Sequence, residues 1–126
     1  MRYGIGLVLV FFFIGCTGQV YTRGSFVYFD RGNPMEKGEK VSQAEMDRVQ
    51  IFYKKDPERA FAEVGVVEAI IEGEGVWNAT VNDLFPELQR QAVRMRVDAI
   101  YKIDLQRYDH GGDALHATGV AVRFAE

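Results

Sequence analysis

The fold is decided by residues 80–95, TVNDLFPELQRQAVRM, which carry the period of one amphipathic helix. Its apolar side chains recur at three- and four-residue intervals and so share one face; they are Val81, Leu84, Phe85, Leu88, Ala92 and Met95. A helix with one apolar stripe must cover an apolar surface, so we expect it to lie on a sheet. Thr80 and Asp83 predict a capping box at the start, whereas Pro86 favours a start nearer Asn82 or Asp83.

Four strands are predicted around this helix, two before it and two after it. Residues 49–53 are β-branched and aromatic, and residues 62–71 are apolar on both faces, which is typical of a strand inside a sheet. Residues 98–108 alternate between apolar and polar, and residues 115–124 return after a glycine-containing turn. The predicted fold is α+β with the order ββαββ, a four-stranded sheet with the helix packed on one face.

The last predicted strand has one bulky face and one small face. We expect the helix to cover the bulky one, which is formed by Thr118, Val120, Val122 and Phe124. Ala117, Gly119 and Ala121 then leave the opposite face unusually small. That small face is a candidate interaction surface, because it would allow close packing of another element or of a second copy of the chain.

An apolar run, residues 5–14, follows Arg2 and precedes the only cysteine of the chain, Cys16. Its length fits the apolar region of a signal peptide and falls short of the roughly 20 apolar residues that a spanning helix needs. Residues 13–16, FIGC, resemble the bacterial lipobox. This resemblance implies that residues 1–15 are removed as a lipoprotein signal peptide and that Cys16 is lipidated. The alternatives are an ordinary secretory signal with a chance cysteine and an uncleaved short anchor.

Residues 16–48 mix glycine, proline and charges of both signs, which predicts a tether before a domain at residues 49–126. One part of this segment is different, because residues 26–29 are β-prone and aromatic and form a candidate edge strand. Its aromatic side chains are also a candidate surface for a partner; they are Phe26, Tyr28 and Phe29. Further along, Ser42 and Glu45 predict a short helix that ends near Arg48.

Four short segments together resemble the YbjQ-like family, whose pattern runs GxV, a helix, GADAV and a strand with GTAV. They are residues 64–67, 88–92, 97–100 and 118–122. Residues 49–65 are similar to the lead-in of RcsF-like envelope lipoproteins. The resemblance implies a small α+β envelope domain over residues 49–126.

The chain departs from these families at two points. Arg96 stands where the YbjQ-like pattern has a glycine after the helix, which predicts either a different helix end or a cost of about 1 kcal/mol. The cysteine pairs of the RcsF-like proteins are absent from this sequence.

Composition excludes several classes of function. The chain has 126 residues, of which 26% are charged, and its net charge of −3 lacks the basic excess on which nucleic-acid binding relies. A single cysteine allows no internal disulfide and no cysteine-rich zinc site. No sequence motif marks a catalytic nucleophile or a phosphate loop, so we predict no enzymatic activity and no cofactor.

The candidate metal ligands lie at the predicted hairpin turn, and they are Asp109, His110, Asp113 and His116. The YbjQ-like resemblance also implies heavy-metal binding. Turns favour aspartate and glycine for backbone reasons, however, and the spacing matches no established metal motif. Solvated turn residues are therefore the competing interpretation.

These observations predict a noncatalytic lipoprotein that Cys16 anchors in the bacterial cell envelope. Its expected role is that of an interaction or sensor module, with an envelope protein or a second copy of the chain as partner and no nucleic acid. Thr17, rather than an aspartate, follows the cysteine, which favours the outer membrane by analogy. The alternatives are a self-assembling structural lipoprotein and a domain that binds a divalent metal.

Overall fold

The computed structural model describes residues 20–73, 79–108 and 113–126. In these ranges the elements in chain order are β1 (Val20–Tyr28), α1 (Gln43–Arg48), β2 (Gln50–Ile51), β3 (Phe61–Gly73), α2 (Val81–Met95), β4 (Ala99–Tyr108) and β5 (Ala114–Phe124). They form one mixed sheet with the strand order β1-β3-β5-β4-β2. Strand β2 is parallel to β4, and the other neighbours are antiparallel.

The α+β class is confirmed, but the predicted strand count and the order ββαββ are wrong. The described residues contain five strands, and a strand and a short helix precede the predicted core of the fold. The candidate edge strand at residues 26–29 belongs to β1, which begins at Val20 and pairs with β3 over nine residues. Part of the segment interpreted as a tether therefore lies in the sheet.

Helix α2 covers one face of the sheet and builds the main core with it. Leu84, Leu88 and Met95 are fully buried there. They pack on small residues of β5, including Ala117 and Ala121, which are fully buried as well. The predicted orientation of β5 is thus wrong: the small face, and not the bulky one, lies under the helix. The bulky helix side chains fill the space that the small strand residues leave.

Close approach explains why glycine occupies two positions of this core. A Cβ on Gly119 would lie 2.4 Å from Cγ2 of Ile100, and a Cβ on Gly65 would lie 2.1 Å from the carbonyl oxygen of Val27. Real Cβ atoms do not approach other heavy atoms so closely. These glycines therefore let β4 and β1 pack against their neighbours in the sheet.

Strand β4 changes face partway along its length. Its register with β5 shifts between Tyr101 and Asp104, where Lys102 has a φ of 51°. Tyr101 consequently belongs to a cluster on the face away from α2, whereas Leu105 packs against the helix core. A bulge moves side chains from one face to the other, so the simple alternation predicted for residues 98–108 does not extend through the strand.

Helix α1 begins as the sequence predicts, and α2 begins at the earlier of its two predicted starts. In α1 the backbone N–H of Glu45 donates to Ser42 Oγ at 3.1 Å, and Ser42 N–H donates to the Glu45 carboxylate at 3.1 Å. In α2 the N–H of Thr80 donates to Asp83 Oδ2 at 2.7 Å, and the first helical residue is Val81. Pro86 lies inside the helix rather than marking a later start.

The end of α2 keeps the left-handed geometry for which the resembling family has glycine. Arg96 has φ 61° and ψ 52°. The N–H of Val97 donates to the carbonyl of Ala92 at 3.1 Å, and the N–H of Arg96 donates to that of Val93 at 3.0 Å. These two bonds form a Schellman motif. Of the two predicted outcomes, the chain accepts the cost of a side chain at a left-handed position.

Candidate functional site

The face of the sheet away from α2 is the candidate site, and we call it the open face. Along β1, Gly24, Phe26 and Tyr28 are directed towards the helix, so that Ser25 and Val27 lie on the open face. The strand registers align residues of the four long strands into rows across this face. One row is polar and the next is apolar.

The polar row aligns Ser25, Glu68 and Thr118, and His116 reaches Glu68 from the next row on the same face. Ser25 Oγ donates to Glu68 Oε1 at 2.7 Å, and His116 Nε2 lies 3.2 Å from Glu68 Oε2. The ring of Tyr108 lies beside the imidazole of His116, with 6.2 Å between the ring centroids. Three strands therefore contribute to one hydrogen-bonded group at the surface.

The hydrogen bond from Ser25 to the Glu68 carboxylate holds the pKa of that carboxyl below its ordinary value. The hydrogen bond with His116 acts in the same direction, and partial burial opposes both. Because Glu68, and not the imidazole, is the central member, His116 is not placed to accept a proton from Ser25. The group therefore lacks the order of a catalytic triad, in which histidine bridges serine and carboxylate. Its members bond to one another across the surface of the sheet.

The apolar row runs from Val27 through Val66 and Val120 to Tyr101. Its free end is at β1, where 67% of Val27 is exposed. The Tyr101 end is buried, and the Tyr101 hydroxyl donates to the carboxylate of Glu63. This bond is the main reason why the pKa of Tyr101 lies above its ordinary value. The side chains of the open face are thus covered at β4 and exposed at β1.

A loop after β2 covers the closed end. Phe52, in this loop, packs edge to face on Phe124, and Phe61, the first residue of β3, packs in the same way on Tyr101. Arg59 lies over the ring of Phe124 at 4.3 Å from its centroid. The exposed apolar surface therefore continues towards β1 rather than towards β2.

Large exposed apolar side chains are concentrated at β1. Among the described residues they are Val20, Tyr21, Val27, Phe29 and Tyr108. Four of these five lie in residues 20–29. By alternation Tyr21, Val27 and Phe29 lie on the open face and Val20 on the helix side. Exposed apolar side chains grouped in one part of a surface mark interaction sites more often than scattered single residues do.

The candidate interaction residues from the sequence divide into two groups. Phe29 is exposed and lies at the open end. Phe26 and Tyr28 instead pack against the helix-side core, where their rings meet edge to face. Alternation along β1 is the signal that separates Val27 and Phe29 from these two aromatics.

The small-residue surface expected at Ala117, Gly119 and Ala121 is not available. All three residues are buried beneath α2. The correction follows from the orientation of β5, because the face expected to meet a partner is the face that meets the helix. A second copy of the chain has no access to these residues in this fold.

The candidate metal ligands are only partly covered by the structure. Asp109 and His110, like Cys16, lie outside the described residues. His116 bonds to Glu68 on the open face, whereas the carbonyl of Asp113 accepts from the N–H of Gly73. In the described ranges no group of three or more His, Cys, Asp or Glu side chains could hold a metal ion.

The sequence analysis missed the pairing of Glu68 with Ser25 and His116. These residues are 43 and 48 positions from Glu68 along the chain. No local motif links them, and only the strand order β1-β3-β5 brings them together.

Comparison with known proteins adds little to this description. No protein-family model matches the chain, and no curated protein matches it. The crystal structure of a Francisella virulence factor, FvfA, is similar at a TM-score of 0.48 and 11% sequence identity. The match covers 82% of this chain and 97% of that one. A likeness at this level carries no argument, and the YbjQ-like and RcsF-like resemblance stays a prediction.

In residues 20–73, 79–108 and 113–126, no helix combines the length and apolar character needed to cross a bilayer.

Proposed function

We propose that this protein is a noncatalytic bacterial lipoprotein that displays the open face and the adjoining β1 as an interaction surface in the cell envelope. The observation that carries the interaction role is the concentration of exposed apolar side chains in residues 20–29, beside a polar row with groups for hydrogen bonding. An apolar patch bordered by polar groups is typical of a protein-binding surface.

Anchoring is supported by residues 1–16. The apolar run is too short for a spanning helix, and the FIGC segment places the cysteine of the lipobox pattern at Cys16. Several acyl chains on one residue hold a protein stably at a bilayer, since each buried methylene contributes about 0.8 kcal/mol. The proposed location is the outer membrane, because Thr17 is not the aspartate associated with retention in the inner membrane.

Metabolic labelling with palmitate tests the anchor. The parent chain should carry label and sediment with membranes, and Cys16→Ser should lose both properties. Thr17→Ser is the matched control and should behave as the parent. Labelling or membrane retention of Cys16→Ser would contradict the proposal. Thr17→Asp should move the protein from the outer to the inner membrane on a sucrose gradient if the location is correct.

A photo-crosslinking amino acid tests the interaction surface in living cells. Placed at Val27 on the open face, it should give a discrete crosslinked product. Asp47 is the control position, because it is exposed in α1, which packs against α2 on the other side of the sheet. Equal crosslinking from the two positions, or none from Val27, would rule out the proposed surface.

A further inference from the structure

Strand β1 is a long sheet edge with few of the features that protect one, since Arg23 is its only charged residue. It pairs with β3 on one side, and the described residues place no strand on its other side. Edge strands are commonly kept from pairing by proline, lysine or a short length. The sequence VYTRGSFVY contains neither of those residues and runs for nine positions. Such an edge is a template for another strand.

The hydrogen-bond pattern shows which groups of β1 are directed outward. Phe29 N–H donates to the carbonyl of Val64 at 2.9 Å. In an antiparallel ladder the bonded residues alternate, so Val27, Ser25 and Arg23 also exchange bonds with β3. The backbone groups at positions 20, 22, 24, 26 and 28 then point away from β3, towards the side on which a further strand would add.

We propose that β1 pairs antiparallel with β1 of a second copy, with Gly24 opposite Gly24 on a two-fold axis. This register opposes the outward-directed residues to one another: Thr22 faces Phe26 of the second copy, and Val20 faces Tyr28. It forms about ten main-chain hydrogen bonds, two for each of the five bonded pairs. The two sheets become one continuous sheet.

The side chains of β1 select this register. On the open face, exposed Val27 meets Tyr21 of the second copy, and Arg23 meets Ser25. A shift by two residues in one direction places Arg23 opposite Arg23, which is unfavourable because the charges are alike. A shift in the other direction places Arg23 opposite Val27. Odd shifts fail because only alternate residues direct their backbone groups outward.

On the helix side, the two-fold axis brings the two α2 helices to the same face of the joined sheet. The carboxylate of Glu87 lies directly over Gly24, so that a Cβ there would be 2.7 Å from Glu87 Oε2. Each Glu87 brings its own partners to the axis, Arg90 at 3.3 Å and Gln91 at 2.6 Å. Gly24 has no side chain, which leaves room for the Glu87 carboxylate of its own copy, and the Arg90 beside each Glu87 offsets the like charge of the two carboxylates near the axis.

The pairing deepens the proposed interaction role by naming a second copy as the partner. Its compatibility with a membrane anchor depends on the proposed lipidation of Cys16. Val20 follows Cys16 by four residues, a span of at most about 14 Å. A two-fold axis normal to the sheet can stand normal to a membrane as well, which places both copies of Val20 at the same height. Both anchors then reach one bilayer.

Disulfide crosslinking tests the register in the full-length chain. Position 21 of one copy and position 27 of the other form a non-bonded pair with Cα atoms about 4.5 Å apart, within disulfide range. Two differently tagged copies, one carrying Tyr21→Cys and the other Val27→Cys, should form a mixed disulfide in the envelope. Copies with the same variant should not crosslink, since their cysteines lie at opposite ends of the strand pair. The parent chain, with Cys16 alone, is the baseline.

Mass measurement provides a second test that does not depend on cysteine. The detergent-solubilised parent should be dimeric by light scattering. Thr22→Pro removes an outward N–H that β3 does not use, so it should give a folded monomer with an unchanged circular dichroism spectrum. Thr22→Ala keeps that N–H and should stay dimeric.

A monomeric parent, a dimeric Thr22→Pro, or mixed and same-variant disulfides in equal yield would overturn the pairing. Palmitate labelling of Cys16 is unaffected by any of these results, which separates failure of the pairing from failure of the proposed anchor.

Discussion

The hydroxyl of Tyr28 in β1 donates a hydrogen bond to the main-chain carbonyl of Met95, the last residue of α2, at 2.9 Å. The main-chain carbonyls of the two neighbouring residues, Arg94 and Arg96, accept hydrogen bonds as well. Met35 N–H donates to Arg94 at 2.8 Å, and Arg123 Nε donates to Arg96 at 3.0 Å. Donors from β1, from the segment after it and from β5 therefore hold the end of the helix that covers the core.

Replacing Tyr28 by phenylalanine should destabilise the fold. The variant keeps the ring but leaves the Met95 carbonyl without its donor in a partly buried place, which costs about 1–2 kcal/mol. Urea denaturation followed by circular dichroism measures the change. Tyr108→Phe is the control, because the Tyr108 hydroxyl bonds to the exposed Gln106 on its own strand; its effect should stay within about 0.5 kcal/mol. Equal effects of the two substitutions would contradict the assigned role of Tyr28.

The same hydrogen bond predicts a dependence of stability on alkaline pH. Burial raises the pKa of Tyr28 above its ordinary value of 10.0, and the charges of Arg123 and Arg96 partly oppose this shift. A raised folded-state pKa means that the contribution is complete below pH 10.0 and is lost as pH rises through the folded value. The difference in unfolding free energy between the parent and Tyr28→Phe should therefore shrink above pH 10. A difference that stays constant to higher pH would contradict the prediction.

Glycine at position 96 should stabilise the protein. Arg96 has φ 61° and ψ 52°, a left-handed conformation that costs a residue with a Cβ about 1 kcal/mol relative to glycine. Arg96→Gly removes that cost and keeps the main-chain carbonyl to which Arg123 donates. Arg96→Ala is the matched control, since it removes the same charge but retains Cβ. The thermal midpoint should rise for glycine above alanine, and identical midpoints would show that the backbone is not strained.

Local features of this fold are predictable from sequence, and pairings between distant segments are not. Ser42 with Glu45 and Thr80 with Asp83 indicate both helix starts, because a capping box involves residues three apart. The face of β5 that meets α2 cannot be predicted in this way, because an alternating strand has two faces and its own residues do not show which one the helix covers. The small face lies under the helix because the bulky side chains of Leu84 and Leu88 need space there.

The candidate site is even less visible in the sequence. Ser25, Glu68 and His116 belong to three strands, and only the register of β3 with both neighbours aligns them. A bulge between Glu63 and Gly65 contributes to this register without a clear sequence signal. The exposed position of Val27 could have been derived from alternation alone, once residues 20–28 were recognised as one strand.

Enlarging Gly119 should show how tightly β4 and β5 pack. Gly119→Ala places a Cβ 2.4 Å from Cγ2 of buried Ile100, so the fold should lose about 1–3 kcal/mol through overpacking. Ile100→Ala alone should also destabilise, because it opens a cavity. The double variant should lose clearly less than the sum of the two, since the new methyl group enters that cavity. Strict additivity in urea denaturation would contradict the close contact.

The carboxyl group of Glu68 offers a direct test of the candidate site. The hydrogen bond from Ser25 is the largest cause of its lowered pKa, and the bond with His116 is the next. A lowered folded-state pKa stabilises the protein above the ordinary value of 4.5, and this contribution is lost as pH falls through the folded value. Its size should stay below about 1 kcal/mol, because the Glu68 side chain is 48% exposed.

Carbon-detected NMR titration of the side-chain carboxyl should place the pKa of Glu68 below 4.5 in the parent and closer to that value in Ser25→Ala. Thr118→Ala, on the same row of the sheet, is the control and should leave the titration unchanged. If Ser25→Ala and Thr118→Ala gave the same pKa for Glu68 as the parent, the hydrogen bond across β1 and β3 would not organise this face.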